Sequence, residues 1–123
     1  MGSRREPGHD VAAIGRLAED LAFAYLQARG LVPITRNYRC RLGEIDLIMR
    51  DRDSIVFVEV RLRTTGAYAS AAESIDPRKQ RKIVAAARYF LAGRAEQPCR
   101  FDCVLLARPQ VDSITWIKSA FEA

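Results

Sequence analysis

Residues 43–63 read GEIDLIMRDRDSIVFVEVRLR, two apolar runs separated by a short polar stretch. β-branched and aromatic residues are frequent in the second run, and such residues favour strands. The polar residues 51–54 are typical of a turn. We therefore predict an antiparallel hairpin whose first strand lies within residues 37–50 and whose second strand covers residues 55–63.

Two carboxylates interrupt the apolar pattern of this hairpin. Strict alternation places Asp46 on the same face of the first strand as Ile48, with Ile45 and Leu47 on the opposite face. In the second strand, alternation separates Glu59 from the valines on either side of it. Strands as apolar as these are expected to be buried at their centre, where unpaired carboxylates are costly.

The turn decides whether the two acids meet. A four-residue loop pairs Arg50 with Ile55, and the same register places Asp46 directly across from Glu59. A slip of one residue would move the two carboxylates to opposite faces of the sheet. The predicted contact between them therefore depends on the length of the turn.

Opposed carboxylates in a buried sheet are costly unless a cation offsets their charge. An oxygen-rich site formed by Asp46 and Glu59, with room for water, suits Mg²⁺ or Mn²⁺. An ion-pair network through Arg61 or Arg63 would offset the charge as well, and the spacing alone favours neither explanation. Glu19 lies beside the apolar stripe of a predicted helix, where it either leans towards the sheet or remains an exposed surface residue.

The rest of the chain alternates helices and strands. Apolar residues recur at helical spacing in residues 12–29 and again in residues 76–93, where an Asp-Pro pair begins the second helix. Short apolar runs at residues 101–107 and 113–118 predict two more strands, and residues 64–75 resemble a loop. We predict an α/β fold with a central mixed β-sheet, flanked by helices and containing the antiparallel hairpin.

Length and composition are those of one folded domain. With 123 residues, 49% hydrophobic and 28% charged, the chain is expected to form a single domain over residues 12–123, preceded by a disordered tail of residues 1–11. No apolar run approaches the roughly 20 residues of a membrane span, and no signal peptide is recognisable. We expect a cytoplasmic protein with no membrane partner.

The histidine and cysteine content excludes several chemistries. The only histidine, His9, lies in the tail, so serine and cysteine hydrolases and histidine-based nucleases are not expected. The three cysteines have no zinc-site spacing and are interpreted as reduced thiols. These are Cys40, Cys99 and Cys103. Catalysis, if present, must therefore use carboxylates, lysine, arginine or a metal ion.

The basic residues indicate an anionic partner. The net charge is +5, and all but three of the 20 basic residues are arginine, which suits forked contacts with phosphate. Genomic base composition would produce the same preference for arginine over lysine. Composition alone does not separate the two explanations.

Five motifs carry a resemblance to a known family. They are GRLAE (15–19), RNYR (36–39), GEIDLI (43–48), VFVEVRLR (56–63) and FDCV (101–104). Together they resemble the YraN family of small bacterial proteins, over residues 12 to 123. The resemblance implies a restriction-endonuclease-like PD-(D/E)xK fold, similar to that of archaeal Holliday-junction resolvases.

Carried over position by position, the resemblance implies a catalytic site. Asp46 is the motif aspartate and Glu59 is the acid of the E-x-K element, so both are implied metal ligands. Glu19 matches the acidic residue of the first helix. Two positions depart from the motif, because Arg61 occupies the usual lysine position and Ile45 the usual proline position. Arginine keeps its proton, so Arg61 would mainly stabilise developing charge.

A set of basic residues near the hairpin and the second helix is expected to contact the DNA backbone. Lys79, in the first turn of that helix, lies at its positive end, where phosphates bind readily. The alternative for Lys79 is a surface lysine at the rim of the core. The expected DNA-binding residues are Arg36, Arg39, Arg41, Arg63, Arg78, Lys79 and Lys82.

These expectations favour a Mg²⁺- or Mn²⁺-dependent endonuclease that acts on phosphodiester bonds of DNA, with branched DNA suggested by fold analogy alone. A homodimer would suit a junction-cutting enzyme. A non-catalytic nucleic-acid-binding module with the same fold is one alternative, for which Arg61 is the main argument. A protein-interaction domain that binds an acidic partner is another.

Overall fold

The computed structural model describes residues 11–63 and 75–123. The predicted tail and the predicted loop after the hairpin lie almost wholly outside these residues, as does His9, and the first helix already includes Val11. The elements, in chain order, are α1 (Val11–Ala28), β1 (Val32–Cys40), β2 (Gly43–Asp51), β3 (Ser54–Leu62), α2 (Pro77–Leu91), β4 (Cys99–Leu106), a 3₁₀ turn (Val111–Ser113) and β5 (Ile114–Phe121). Neither helix in this described part is long and apolar enough to cross a membrane.

The five strands form one sheet in the order β1-β2-β3-β4-β5. All neighbouring pairs are antiparallel except β3 and β4, which run parallel. Two adjacent parallel strands need a crossover connection, and α2 lies in that connection. The predicted mixed α/β architecture, a central sheet with flanking helices, is confirmed.

The predicted first strand is in fact two strands. Residues 37–50 contain the tight connection between β1 and β2 at Arg41 and Leu42, so the hairpin is part of a three-stranded meander. The missed strand begins at Val32, although Pro33 follows it. Proline is tolerated there because β1 is an edge strand, and the pairing shifts between Pro33 and Thr35. Because proline is uncommon in strands, Pro33 led the sequence analysis to miss the start of β1.

Each helix covers one face of the sheet. Phe57 and Val58, adjacent in β3, belong to different hydrophobic clusters, as alternation requires. The cluster on the α1 face contains Ala18, Ala22, Leu26, Leu31, Leu47, Met49, Val56, Val58, Val104 and Leu106. The cluster on the α2 face contains Ile45, Ile48, Ile55, Phe57, Ile75, Ile83, Ala86, Ala87, Phe90, Phe101, Cys103, Leu105 and Phe121. The central strands are therefore buried on both faces.

The register between β2 and β3 is the predicted one. Arg50 pairs with Ile55, and the ladder continues to the pair formed by Leu47 and Val58. The predicted alternation in β2 is wrong, because Ile45 lies on the α2 face together with Ile48. Three positions separate these two residues, so the alternation breaks between them.

The break coincides with a distortion shared by β1 and β2. The pairs Arg36–Leu47 and Tyr38–Ile45 flank it, while Asn37 and Asp46 form no ladder pair between them. Asn37 has a φ of 53°, a left-handed conformation that asparagine tolerates better than most residues. Both strands change face at this point, which turns Asp46 out of the regular pleat.

A buried carboxylate, Asp102, lies in β4, two strands away from β2 in the sheet. It is fully buried and accepts hydrogen bonds from Arg100 Nε (3.0 Å), Trp116 Nε1 (2.9 Å) and the Ser119 backbone N–H (3.0 Å). Arg100 also pairs with Asp51 at 2.9 Å. Every part of this network has a partner, so Asp102 ties β4 to β5 and serves the fold.

Asp102→Asn is expected to lower the free energy of unfolding by about 3 kcal/mol, because it removes one partner of a buried ion pair. Urea unfolding followed by the fluorescence of Trp116, the chain's one tryptophan, measures the change. The control is Asp53→Asn, an exposed residue of the β2–β3 turn, which should change stability by less than about 0.5 kcal/mol. A loss below about 1 kcal/mol for Asp102→Asn would show that the network is not structural.

Candidate metal and nucleic acid site

Asp46 is held at the point where β2 leaves the regular ladder. Its Oδ2 accepts a hydrogen bond from the Val60 backbone N–H at 2.8 Å, so a side chain takes the place of a strand carbonyl. This bond draws the Asp46 carboxylate against β3, next to Glu59. The predicted approach of the two acids therefore occurs, although through a side-chain bond and not through regular pairing.

Glu59 is almost fully buried, with 3% of its surface exposed. Burial, followed by the negative charge of Asp46, raises the pKa of Glu59 to about 7, and the ammonium group of Lys79 acts against this rise. Burial is the largest cause of the raised pKa, and the nearby ammonium group of Lys79 offsets it only in part. The surroundings of Glu59 are therefore suited to a further cation.

Glu19 of α1 is the third acid of this region. It is half-buried, and burial followed by the charge of Asp46 raises its pKa, while Arg36 and a hydrogen bond with Asn37 lower it. Asp46 thus lies between two acids, Glu19 from α1 and Glu59 from β3. The structure brings together the three acids that the resemblance selected.

Two cations approach Glu59 from different elements. Lys79 Nζ of α2 lies 3.0 Å from Glu59 Oε2, and Arg61 Nη1 lies 3.7 Å from the same oxygen. Only the first distance is that of a hydrogen bond. The ion-pair alternative is therefore partly realised, with Lys79 as the main counterion where the sequence suggested Arg61 or Arg63.

The acids suit a metal ion whose coordination is completed by water and by a substrate phosphate. In the described parts of the chain, no three acidic, cysteine or histidine side chains form a set able to hold a metal ion by themselves. Mg²⁺ is commonly bound by only one or two carboxylates, with waters and substrate phosphates completing its coordination. Asp46 and Glu59 meet that smaller requirement.

Six of the seven basic residues expected at DNA lie in three groups. Arg78, Lys79 and Lys82 line a groove of about 430 Å³ between α2 and the β1–β2 turn, together with Gly43 and Glu44. Arg39 and Arg41 are exposed beside the same turn. Arg63 follows the end of β3.

Arg36 lies elsewhere. Its Nη2 is 2.7 Å from Asp20 Oδ1, and its guanidinium group lies 4.5 Å from the centre of the Phe23 ring. Arg36 is thus held against α1, near Glu19, and two contacts already occupy it.

The N-terminus of α2 is capped by Asp76, the residue that precedes the helix. The Asp76 side chain accepts a hydrogen bond from the Arg78 backbone N–H at 2.7 Å. A carboxylate at this end already satisfies part of the positive helix terminus. The side chains of the first turn, more than its backbone, are therefore the groups available to a phosphate.

Sequence comparison gives this site a family. Residues 18–106 match the family model described as "Uncharacterised protein family UPF0102". The chain belongs to the UPF0102 family. A UPF0102 protein of Nitrosococcus oceani is 51% identical over 111 residues, covering 87% of this chain and 90% of the relative. One from Methylobacillus flagellatus is 49% identical over 110 residues (89% and 97%), and one from Nitrosospira multiformis is 52% identical over 109 residues (88% and 92%).

Sequence reasoning missed two residues that shape this UPF0102 site. Asn37 contacts Glu19 and bends both strands, and Gly43 brings the β1–β2 turn against α2. A Cβ added at Gly43 would lie 2.7 Å from the backbone oxygen of Lys82, closer than such atoms approach. Asn37 lies in the RNYR motif and Gly43 begins the GEIDLI motif, but the positions of the two residues in the sequence do not indicate their structural roles.

Glu59→Gln in the UPF0102 chain is expected to change how stability depends on pH. Because the pKa of Glu59 is raised from 4.5 to about 7, its folded form prefers to keep the proton. The stability that Glu59 contributes is therefore fully present below pH 4.5 and is lost as the pH rises to about 7. Relative to Glu59→Gln, the parent should lose on the order of 2 to 3 kcal/mol across this window.

Urea unfolding of both proteins in chelator, at half-unit steps from pH 4 to 8, measures this difference. Subtracting the variant from the parent removes the contributions of the other titrating groups. A flat difference, or one that rises with pH, would contradict the raised pKa.

Proposed function

We propose that this UPF0102 protein is a divalent-metal-dependent endonuclease that hydrolyses phosphodiester bonds of DNA, on a restriction-endonuclease-like fold. The observation that supports this most is the pair Asp46 and Glu59. The distortion of β2 brings the half-buried Asp46 to the almost fully buried Glu59, at a cost that no structural need of the sheet explains. Glu19 adds a third acid beside them.

The residues fit Mg²⁺ or Mn²⁺. Asp46 and Glu59 would hold the ion, which supplies Lewis acidity at a phosphate oxygen and a more acidic bound water. The protein's own side chains then divide the remaining work. Glu19 adds negative charge beside Asp46, and Arg61, next to Glu59, would stabilise the charge that builds up on the phosphate.

The surface around these acids suits a nucleic acid backbone. Helix α2 carries five basic side chains and no acidic one, and its first turns line the groove that reaches Lys79. The exposed Arg39 and Arg41 continue the positive surface on the β1–β2 turn. Such a surface binds phosphates through side chains without reading base sequence. Branched DNA and a homodimer remain analogies from the fold family and are left to the assay.

The decisive experiment is a cleavage assay on linear, nicked, flapped and four-way DNA with Mg²⁺, Mn²⁺ or chelator. The parent should cleave at least one of these DNAs only with a divalent ion, and Asp46→Asn should reduce cleavage to background. This variant keeps an oxygen for the Val60 N–H, so its fold is retained. In chelator it should melt at or above the parent temperature, because the repulsion between opposed acids, worth up to roughly 1 kcal/mol, is removed.

Cleavage that persists in chelator, or in Asp46→Asn, would refute the proposed function. An unstable Asp46→Asn variant would instead assign Asp46 to a structural ion pair, since breaking such a pair costs on the order of 3 kcal/mol. The melting curves therefore separate loss of the site from loss of the fold.

DNA binding should depend steeply on salt. The double variant Arg78→Ala/Lys82→Ala should reduce the slope of log K against log salt concentration by about two, since each phosphate contact contributes about 0.9. Fluorescence anisotropy between 50 and 200 mM salt, in Ca²⁺ or chelator, measures it. The matched control is Lys118→Ala, an exposed residue of the edge strand β5, which should leave the slope unchanged. Equal slopes for all three proteins would contradict the proposed DNA surface.

A nucleic-acid-binding module without turnover is the second candidate. It is favoured by Arg61, which replaces the motif lysine, and by the Lys79 counterion already present at Glu59. Salt-sensitive binding without cleavage under any metal condition would establish this second function.

A further inference from the structure

We infer that Lys79, carried by α2, supplies the lysine function that the E-x-K element lacks at position 61. This inference rests on the proposed nuclease function. In it, the Lys79 ammonium group donates hydrogen bonds to the attacking water and to an oxygen of the phosphate under attack. Arg61, although it stands at the motif position, contributes only charge.

The distances favour Lys79 over Arg61. Lys79 Nζ is at hydrogen-bonding distance from Glu59 Oε2, 3.0 Å away, whereas Arg61 Nη1 is 3.7 Å from that oxygen. The ammonium group thus stands where a lysine of the β3 motif would be needed, beside the buried acid. The two residues reach this point from different elements, so a β3 strand without lysine still has one at the site.

The backbone that carries Lys79 is held from several sides. Asp76 caps the first turn, and Gln80 Nε2 donates to the Ile75 carbonyl at 3.0 Å. One turn further, the side chain of Ile83 is buried in the core, and the close contact at Gly43 fixes the backbone of Lys82. A surface lysine needs none of these restraints. Here they fix the distance from α2 to Glu59.

The exposure of Lys79 is that of a group that meets a substrate. Its side chain is 45% exposed and lines the groove beside the β1–β2 turn, while its Nζ touches a carboxylate that is 3% exposed. Lys79 therefore connects the groove to the buried carboxylate of Glu59. A phosphate lying in the groove would meet this ammonium group before it reached Asp46 or Glu59.

The chemistry of the two side chains points the same way. A lysine ammonium group has three donors that rotate on a flexible stem, so it can bond to a carboxylate, a water and a phosphate oxygen together. The donors of arginine lie fixed in one plane. During hydrolysis, the water oxygen bonds to phosphorus as the bond from phosphorus to the sugar oxygen breaks. One water proton passes to solvent, the sugar oxygen takes a proton from solvent, and no redox change occurs.

Steady-state cleavage in Mn²⁺, on the DNA that the parent cleaves best, tests the assignment. Lys79→Met should lower kcat by about 100-fold with little change in KM, as expected when an interaction specific to the transition state is lost. Lys82→Met is the matched control, because it removes a charge from the same groove. It should raise KM and keep kcat within about twofold.

Two further variants address position and folding. Lys79→Arg keeps the charge beside Glu59 and should fold like the parent, yet its kcat should stay at least about tenfold low, because arginine lacks the rotating donors. The double variant Lys79→Met/Arg61→Lys returns a lysine at the motif position and should recover about tenfold of the lost kcat. Recovery by relocation is a result that a merely structural role of Lys79 would not give.

A readout independent of turnover is Mn²⁺ binding, measured by titration calorimetry. Lys79→Met should bind Mn²⁺ as tightly as the parent or more tightly, because the ammonium group competes with the ion for Glu59. Loss of Mn²⁺ binding, or a kcat retained in Lys79→Met and Lys79→Arg, would overturn the assignment while leaving the nuclease function intact. A parent that cleaves no DNA with any divalent ion would overturn both.

Discussion

The structure depends on one unfavourable arrangement, the half-buried carboxylate of Asp46 brought against the buried carboxylate of Glu59 within a sheet. The hydrogen bond from the Val60 N–H to Asp46 sets this arrangement, and it requires β2 to leave its ladder. Asn37 makes the departure sterically acceptable by adopting a left-handed conformation opposite it. The surrounding strands are otherwise well packed on both faces. The distortion and the paired acids are therefore linked, because each costs stability and neither is expected in a sheet whose only requirement is stability.

Two carboxylates are buried in the part of the chain that the structure describes, and their surroundings differ. Asp102 accepts from an arginine, a tryptophan and a backbone amide, and no part of it faces an open groove. Glu59 has a nearby acid, one hydrogen-bonded lysine and a more distant arginine. The hydrogen bonds to Asp102 compensate its charge, as is typical of a structural residue. The surroundings of Glu59 compensate the negative charge only in part, so a further cation can bind there. Partial compensation is typical of sites that bind ions or perform chemistry.

The sequence predicted most of the fold and the approach of Asp46 to Glu59, for reasons that can be stated. Helical periodicity located both helices, and the four polar residues after Arg50 fixed the register that pairs it with Ile55. Strict alternation failed at Ile45 because one left-handed residue in a neighbouring strand is not visible in the pattern of β2. The strand beginning at Val32 was hidden by Pro33. The contact between Lys79 and Glu59 joins residues twenty positions apart through the packing of α2, which depends on Gly43 and not on any local spacing.

The parallel pairing of β3 with β4 has a consequence for how the chain folds. Strands β1, β2 and β3 are joined by tight turns and can pair locally, whereas β4 can join β3 only after the long connection through α2 has closed. Until then one edge of β3 faces water, and Glu59 keeps its hydration. We expect desolvation of this acid to accompany the late docking of α2 and β4. The free-energy cost of desolvating Glu59 would then arise mainly in the final folding step. It would therefore raise the unfolding rate of the folded state more than it slows the initial collapse.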